Sequence, residues 1–75
     1  MVRKSIKVSY IDGDVITYKN ETLENVTSEI FADERDPDTI DIDGLKIQWN
    51  PSLFHYCFGH GRITEEDLIE MTKVA

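Results

Sequence analysis

His55, Cys57 and His60 lie within six residues, and they are the side-chain types that hold a transition metal or activate a thiol. A structural zinc site takes four ligands in tetrahedral geometry, usually as two separated pairs, and this chain offers no second pair. At ~100° per residue on a helix, His55 and Cys57 sit ~200° apart around the axis and do not converge on one ion. A Cys-His nucleophile needs a partly exposed thiolate beside an oriented base. Cys57 instead lies in Leu53-Phe54-His55-Tyr56-Cys57-Phe58, where aromatic surroundings keep a thiol protonated and inert. Neither a metal ligand set, a catalytic residue nor a cofactor is therefore expected.

Carboxylates are the other chemistry-bearing group. Asp41, Asp43 and Gly44 fall where positions three, five and six of a helix-loop-helix calcium loop would be. The first position would then be Thr39 and the twelfth Asn50, where such a loop needs an acid and a bidentate Glu, so the stretch reads better as a hairpin. Asp33 to Asp38 retains the chemistry for weak divalent binding. Asn20-Glu21-Thr22 and Asn25-Val26-Thr27 are formal glycosylation sequons that matter only on a secretory route.

What stands out is the charge distribution. Between Glu21 and Asp43 the chain carries nine acidic residues (Glu21, Glu24, Glu29, Asp33, Glu34, Asp36, Asp38, Asp41, Asp43) and one basic residue, Arg35. Such a strip attracts cationic surfaces and repels nucleic acid and anionic membrane. The net charge of −7 points the same way, since phosphate contacts need clustered Lys and Arg. Arg3, Lys4, Lys7 and Lys19 gather only loosely.

The elements that must carry these groups follow from period and turn chemistry. Ile6 to Tyr18 alternates around Asp12-Gly13, a hairpin signal. A two-residue loop would scatter the apolar side chains over both faces. A three-residue loop of Ile11-Asp12-Gly13, with Gly13 left-handed, pairs Val8 with Ile16 and Ile6 with Tyr18, and gathers Ile6, Val8, Tyr10, Ile16 and Tyr18 on one face. Asp43-Gly44 predicts a second, type I′ hairpin that pairs Ile42 with Leu45, Ile40 with Ile47, Asp41 with Lys46 and Thr39 with Gln48. Trp49 continues the apolar face at the core's edge, with its indole N–H expected to find a partner.

Between the hairpins two readings compete. Leu23, Val26 and Ile30 have helical spacing after a possible cap at Asn20, whereas Val26, Ser28 and Ile30 also alternate as a strand from about Asn25 to Ala32. The weak helix formers Thr22, Val26 and Thr27 tip the reading to a fifth strand. After Trp49 the period changes: Asn50 caps a helix with Pro51 first and Leu53, Phe54, Cys57 and Phe58 as its apolar stripe, ended by Gly59-His60-Gly61. Thr64 and Asp67 approximate a capping box, with Ile63 and Leu68 as its staple, for a last helix from Glu65 to about Val74. The expected fold is α+β: a small antiparallel sheet or partly closed barrel of four to five strands from two hairpins, then two short C-terminal helices, in a single domain over residues 1–75.

A 75-residue chain with 40% hydrophobic residues has only a small core. One cysteine, and a polar Arg3-Lys4 start with no apolar run behind it, point to the cytoplasm, and no stretch approaches a membrane span. The functional expectation is a non-enzymatic protein-binding module that presents Asp33, Glu34, Asp36, Asp38 and Asp41 to a basic surface. Where that partner handles nucleic acid, the carboxylates imitate phosphates and occupy its Lys/Arg channel, as inhibitors or regulators encoded by phages and mobile elements do. The alternative is an assembly subunit that self-associates through edge strands or an aromatic patch of Phe54, Tyr56 and Phe58.

Overall fold

The alternation on either side of the Ile11-Asp12-Gly13 turn produces the first hairpin of the computed structural model, which describes residues 3–74. Strands β1 (Lys4–Tyr10) and β2 (Val15–Glu21) pair Val8 with Ile16 and Ile6 with Tyr18. At the turn the Gly13 N–H donates to the Tyr10 carbonyl (3.0 Å) and the Tyr10 N–H to the Asp14 carbonyl (2.8 Å), with Gly13 at φ 99°. The second hairpin joins β3 (Pro37–Ile42) to β4 (Leu45–Gln48) in the register expected from Asp43-Gly44, whose φ values of 50° and 92° are those of a type I′ turn.

The segment between the hairpins is a helix, α1 (Leu23–Ala32), and not a fifth strand. Its cap is Thr22 rather than Asn20: the Thr22 side chain accepts from the Asn25 N–H at 3.2 Å. Leu23, Val26, Thr27 and Ile30 form its buried stripe at the 3.6-residue period. Thr27, a weak helix former, donates its hydroxyl to the Leu23 carbonyl (2.8 Å), so its burial leaves no polar atom unpaired. Topology supplies the larger reason. The strand order is β2-β1-β3-β4, with every neighbouring pair antiparallel, so β2 and β3 run parallel on opposite sides of β1. A chain leaving one and entering the other must cross over, and a helix is the usual way to do so.

The result is an open four-stranded antiparallel sheet with three short helices, a small α+β fold; the sheet is not closed into a barrel. Ile6, Val8, Tyr10, Ile40, Ile42 and Ile47 form the sheet side of the core, and Leu23, Val26, Ile30, Phe54, Cys57 and Leu68 the helical side. The other sheet face is polar, with Thr17, Lys7, Asp41 and Lys46 in one row.

After β4, Asn50 accepts the Leu53 N–H at 3.2 Å and starts α2 (Pro51–Phe54), which widens into one π-helical turn, His55–Gly59, closed by the His60 N–H on the His55 carbonyl (3.1 Å). The last helix, α3 (Glu65–Thr72), is capped by Thr64, which accepts from the Asp67 N–H at 3.1 Å, and ends two residues earlier than the apolar pattern suggests. Lys73 then bridges Ile47, and the Val74 N–H donates to the Lys46 carbonyl (3.2 Å), so the outer edge of β4 is partly covered. Trp49 is half-buried between Phe31 (5.3 Å) and Phe54 (4.5 Å between ring centroids). Its indole N–H has no partner among the described residues and stays open to solvent. No helix among the described residues is long and apolar enough to cross a membrane.

Candidate functional site: an acidic end built around Arg35

The segment that follows α1 turns back against the tip of the first hairpin, held there by the Ile11 N–H on the Asp36 carbonyl (3.2 Å). This contact joins two acidic stretches that are distant in sequence. Asp12 and Asp14 come from the hairpin tip, Asp33, Glu34 and Asp36 from the crossing segment, and Asp38 from the start of β3. Arg35 sits among them. Its guanidinium is 2.6 Å from Asp14, 3.1 Å from Asp33 and 3.8 Å from Asp12, and lies 4.2 Å above the Tyr10 ring. Asp33 also accepts the Arg35 backbone N–H at 2.9 Å. Three carboxylates therefore hold a single cation, and Glu34, Asp36 and Asp38, next to Arg35 in the chain, are exposed.

Asp38 owes its exposure to a bulge. The register between β1 and β3 shifts after the Ser9–Thr39 pair so that Tyr10 meets Pro37, which leaves Asp38 as the extra residue. Pro37 is buried and Asp38 points out, while the Asp38 carbonyl accepts from the Trp49 N–H (3.2 Å) and the Gln48 side chain (2.8 Å).

The strip of nine is not one patch. Asp41 stands on the polar sheet face with Lys7 and Lys46 as its cross-strand neighbours, and its carboxylate caps the Gly44 N–H at 2.8 Å. Asp43 lies at the far end of β3, where it accepts the Ser5 N–H at 2.9 Å. Glu21, Glu24 and Glu29 belong to the end of β2 and to α1. Of the residues singled out from sequence, Asp33 binds Arg35, Glu34, Asp36 and Asp38 are exposed on the adjoining chain, and Asp41 is separate; Asp12 and Asp14 were missed. The signal for those two was weak, because only the fold makes the hairpin tip a neighbour of the crossing segment.

Electrostatics at this end follow from the geometry. Hydrogen bonds from the Arg35 side chain and backbone hold the Asp33 carboxyl below the usual aspartate range. Burial, and then the Asp33 carboxylate, push the Tyr10 hydroxyl up, against the opposing pull of Arg35. A carboxyl with a depressed pKa in the folded state contributes stability above its unfolded value, and that contribution is lost as pH falls through the folded value. Arg35→Gln removes the partner. The stability difference between native protein and Arg35→Gln should therefore be largest at neutral pH and shrink in acid, as pH falls through the lowered value at which Asp33 takes up its proton. Urea melts of both proteins at pH 7 and pH 3 measure it. A gap that is unchanged at pH 3 would show that Arg35 acts through its packing on Tyr10 instead.

The histidine-cysteine segment is arranged differently. The rings of His55 and His60 touch edge to face with centroids 4.5 Å apart on the exposed side of the π-turn, whereas Cys57 belongs to the core. Burial pushes the Cys57 thiol up, and the Glu65 and Glu24 carboxylates add to the rise. Among the described residues, no three His, Cys, Asp or Glu side chains gather into a metal-ligand group. Nor do Phe54, Tyr56 and Phe58 share a patch, since Phe54 is fully buried, Phe58 half-buried and Tyr56 exposed. Comparison with protein-family models, with curated proteins and with solved structures finds no match for this chain.

Proposed function

We infer that the protein is a non-enzymatic binding module whose acidic end occupies a cationic surface of another protein. The observation that carries this reading is that Asp12 and Asp14 of the hairpin tip meet Asp33 around one arginine, with Glu34, Asp36 and Asp38 exposed on the stretch of chain that contains it. Crowding like charge costs stability, and Arg35 offsets only part of it while leaving Glu34, Asp36 and Asp38 exposed. Ile11 and Val15, 70% and 54% exposed, flank the same hairpin tip. Apolar contacts set among charges are a common interface pattern, in which the apolar centre supplies affinity and the charged surround supplies steering and register.

The partner chemistry that fits is a Lys/Arg-lined channel, and a nucleic-acid-handling protein is the leading case because spaced carboxylates can stand in for phosphates. Asp33, Glu34, Asp36 and Asp38 are the contact residues in this reading, joined by Asp12 and Asp14, while Asp41 contributes only to the field. An affinity pull-down from the cells that make the protein tests it. A partner retained at low salt should be released by raising salt and displaced by nucleic acid, and Asp36→Lys/Asp38→Lys should weaken binding at least tenfold, about 1.4 kcal/mol. Unchanged retention by that double variant would refute the reading.

A further inference from the structure

The two outer strands of the sheet are treated unequally. The edge of β4 is partly covered by Lys73 and Val74, whereas β2 ends the strand order on the other side with no strand beyond it among the described residues. Hydrogen bonding fixes which of its groups face outward. The Tyr10 N–H bonds to the Asp14 carbonyl, and alternation along an antiparallel pair then makes Val8–Ile16 and Ile6–Tyr18 the bonded pairs. The backbone N–H and C=O of Val15, Thr17 and Lys19 are therefore directed away from β1. Beyond Lys19 the strand stops being usable: the register slips, Asn20 adopts φ 59°, and its carbonyl accepts from Arg3 at 3.0 Å.

Beneath this edge, between β2 and α1, lies an open cleft of about 230 Å³ lined by Tyr18, Glu21, Asn25, Val26, Ser28 and Glu29. Glu21 is oriented by the Asn25 amide at 3.2 Å, and Glu29 is exposed. No basic side chain lines the cleft. Burial and then the Glu29 and Asp33 carboxylates push the Tyr18 hydroxyl up, so this cleft feels the negative field as well. A strand laid along β2 would turn alternate side chains to the core side of the sheet, next to Ile16 and Tyr18, and so into this cleft.

We propose that β2 receives an extended basic segment of a partner protein by strand addition, with its backbone bonded to Val15, Thr17 and Lys19 and an alternating Lys or Arg seated between Glu21 and Glu29. The edge supplies affinity through main-chain bonds, and the two carboxylates supply the selection. A second copy of this chain fits less well, because β2 beside β2 brings two acidic clefts of a −7 protein together. The proposal rests on the cationic partner inferred above, and assigns it a second contact away from the acidic end.

The probe is a synthetic peptide of alternating Lys and Thr/Val residues, titrated into the ¹⁵N-labelled protein. Amide shifts and slowed hydrogen exchange are expected at Val15, Thr17 and Lys19. Thr17→Pro removes an outward N–H that β1 does not use, and should weaken binding about tenfold while the fold stays intact. Glu21→Gln/Glu29→Gln, on the surface, should weaken it about fivefold and flatten its salt dependence. Shifts confined to Asp12–Asp14 and Asp33–Asp38 would overturn strand addition yet leave the acidic-end reading standing, and a peptide that shifts nothing would overturn strand addition alone. Protected β2 amides in the free protein, with light scattering showing a dimer, would give the edge to a second copy and also overturn the proposal.

Discussion

Phe54→Ala should lower the unfolding free energy by about 3–5 kcal/mol, the range for removing a buried aromatic ring from a core. Phe54 has no solvent exposure and is the largest fully buried side chain among the described residues. It closes the short helix α2, where its N–H donates to the Asn50 carbonyl at 3.0 Å, and its ring packs, tilted by 45°, against that of Trp49 with centroids 4.5 Å apart. A chain of this length has about 4–11 kcal/mol of stability in total, so losing Phe54 removes a large share of it. Phe31→Ala is the matched control. Phe31 is 49% exposed yet meets the same indole at 5.3 Å, and its loss should cost only about 1 kcal/mol. With a urea slope near ~1 kcal/mol/M for so small a protein, the two variants should separate by ~2–4 M in midpoint. Midpoints that fall together would mean that the helical layer does not share the sheet's core.

Both hairpins were legible from sequence because two independent signals agree in each. Turn chemistry at Ile11-Asp12-Gly13 and at Asp43-Gly44 demands left-handed residues, and alternation on either side fixes the register that buries the apolar set. Residues 23–32 carry no such agreement. Val26, Ser28 and Ile30 satisfy a period of two, Leu23, Val26 and Ile30 a period of about 3.6, and local propensity favours the wrong one. What decides the matter is non-local: β3 pairs with β1 rather than with its predecessor, so the chain must cross from β2 to the far side of β1. The π-turn is similarly hidden. Its extra residue is accommodated where the His55 ring lies against Gly59, so close that a Cβ there would meet Nδ1 at 2.8 Å. Charge counting found the acidic character and four of the six carboxylates at the acidic end. It could not place Asp12 and Asp14, nor show that Arg35, the single basic residue within the strip, is the group around which that end is organised.

The last helix offers a test of how edge protection is achieved. Leu68 is fully buried, Ile69 packs against the core, and Thr72 donates its hydroxyl to the Leu68 carbonyl at 2.6 Å, so the inward side of α3 depends on one large side chain. Leu68→Ala should cost about 2–5 kcal/mol, toward the lower end if the helix can settle into the space. The loss should be felt unevenly. Lys73 and Val74 reach the edge of β4 only because α3 delivers them there, so the Val74 amide, bonded to the Lys46 carbonyl, should lose its hydrogen-exchange protection before amides of the central strand β1 do. With β4 uncovered, the sheet then has an exposed edge on both sides, and concentration-dependent association should appear in the variant at protein levels where the native chain shows none. If Leu68→Ala lost stability while Val74 stayed protected and the protein remained monomeric, the covering segment would hold to β4 by its own backbone bonds, independent of the helix that precedes it.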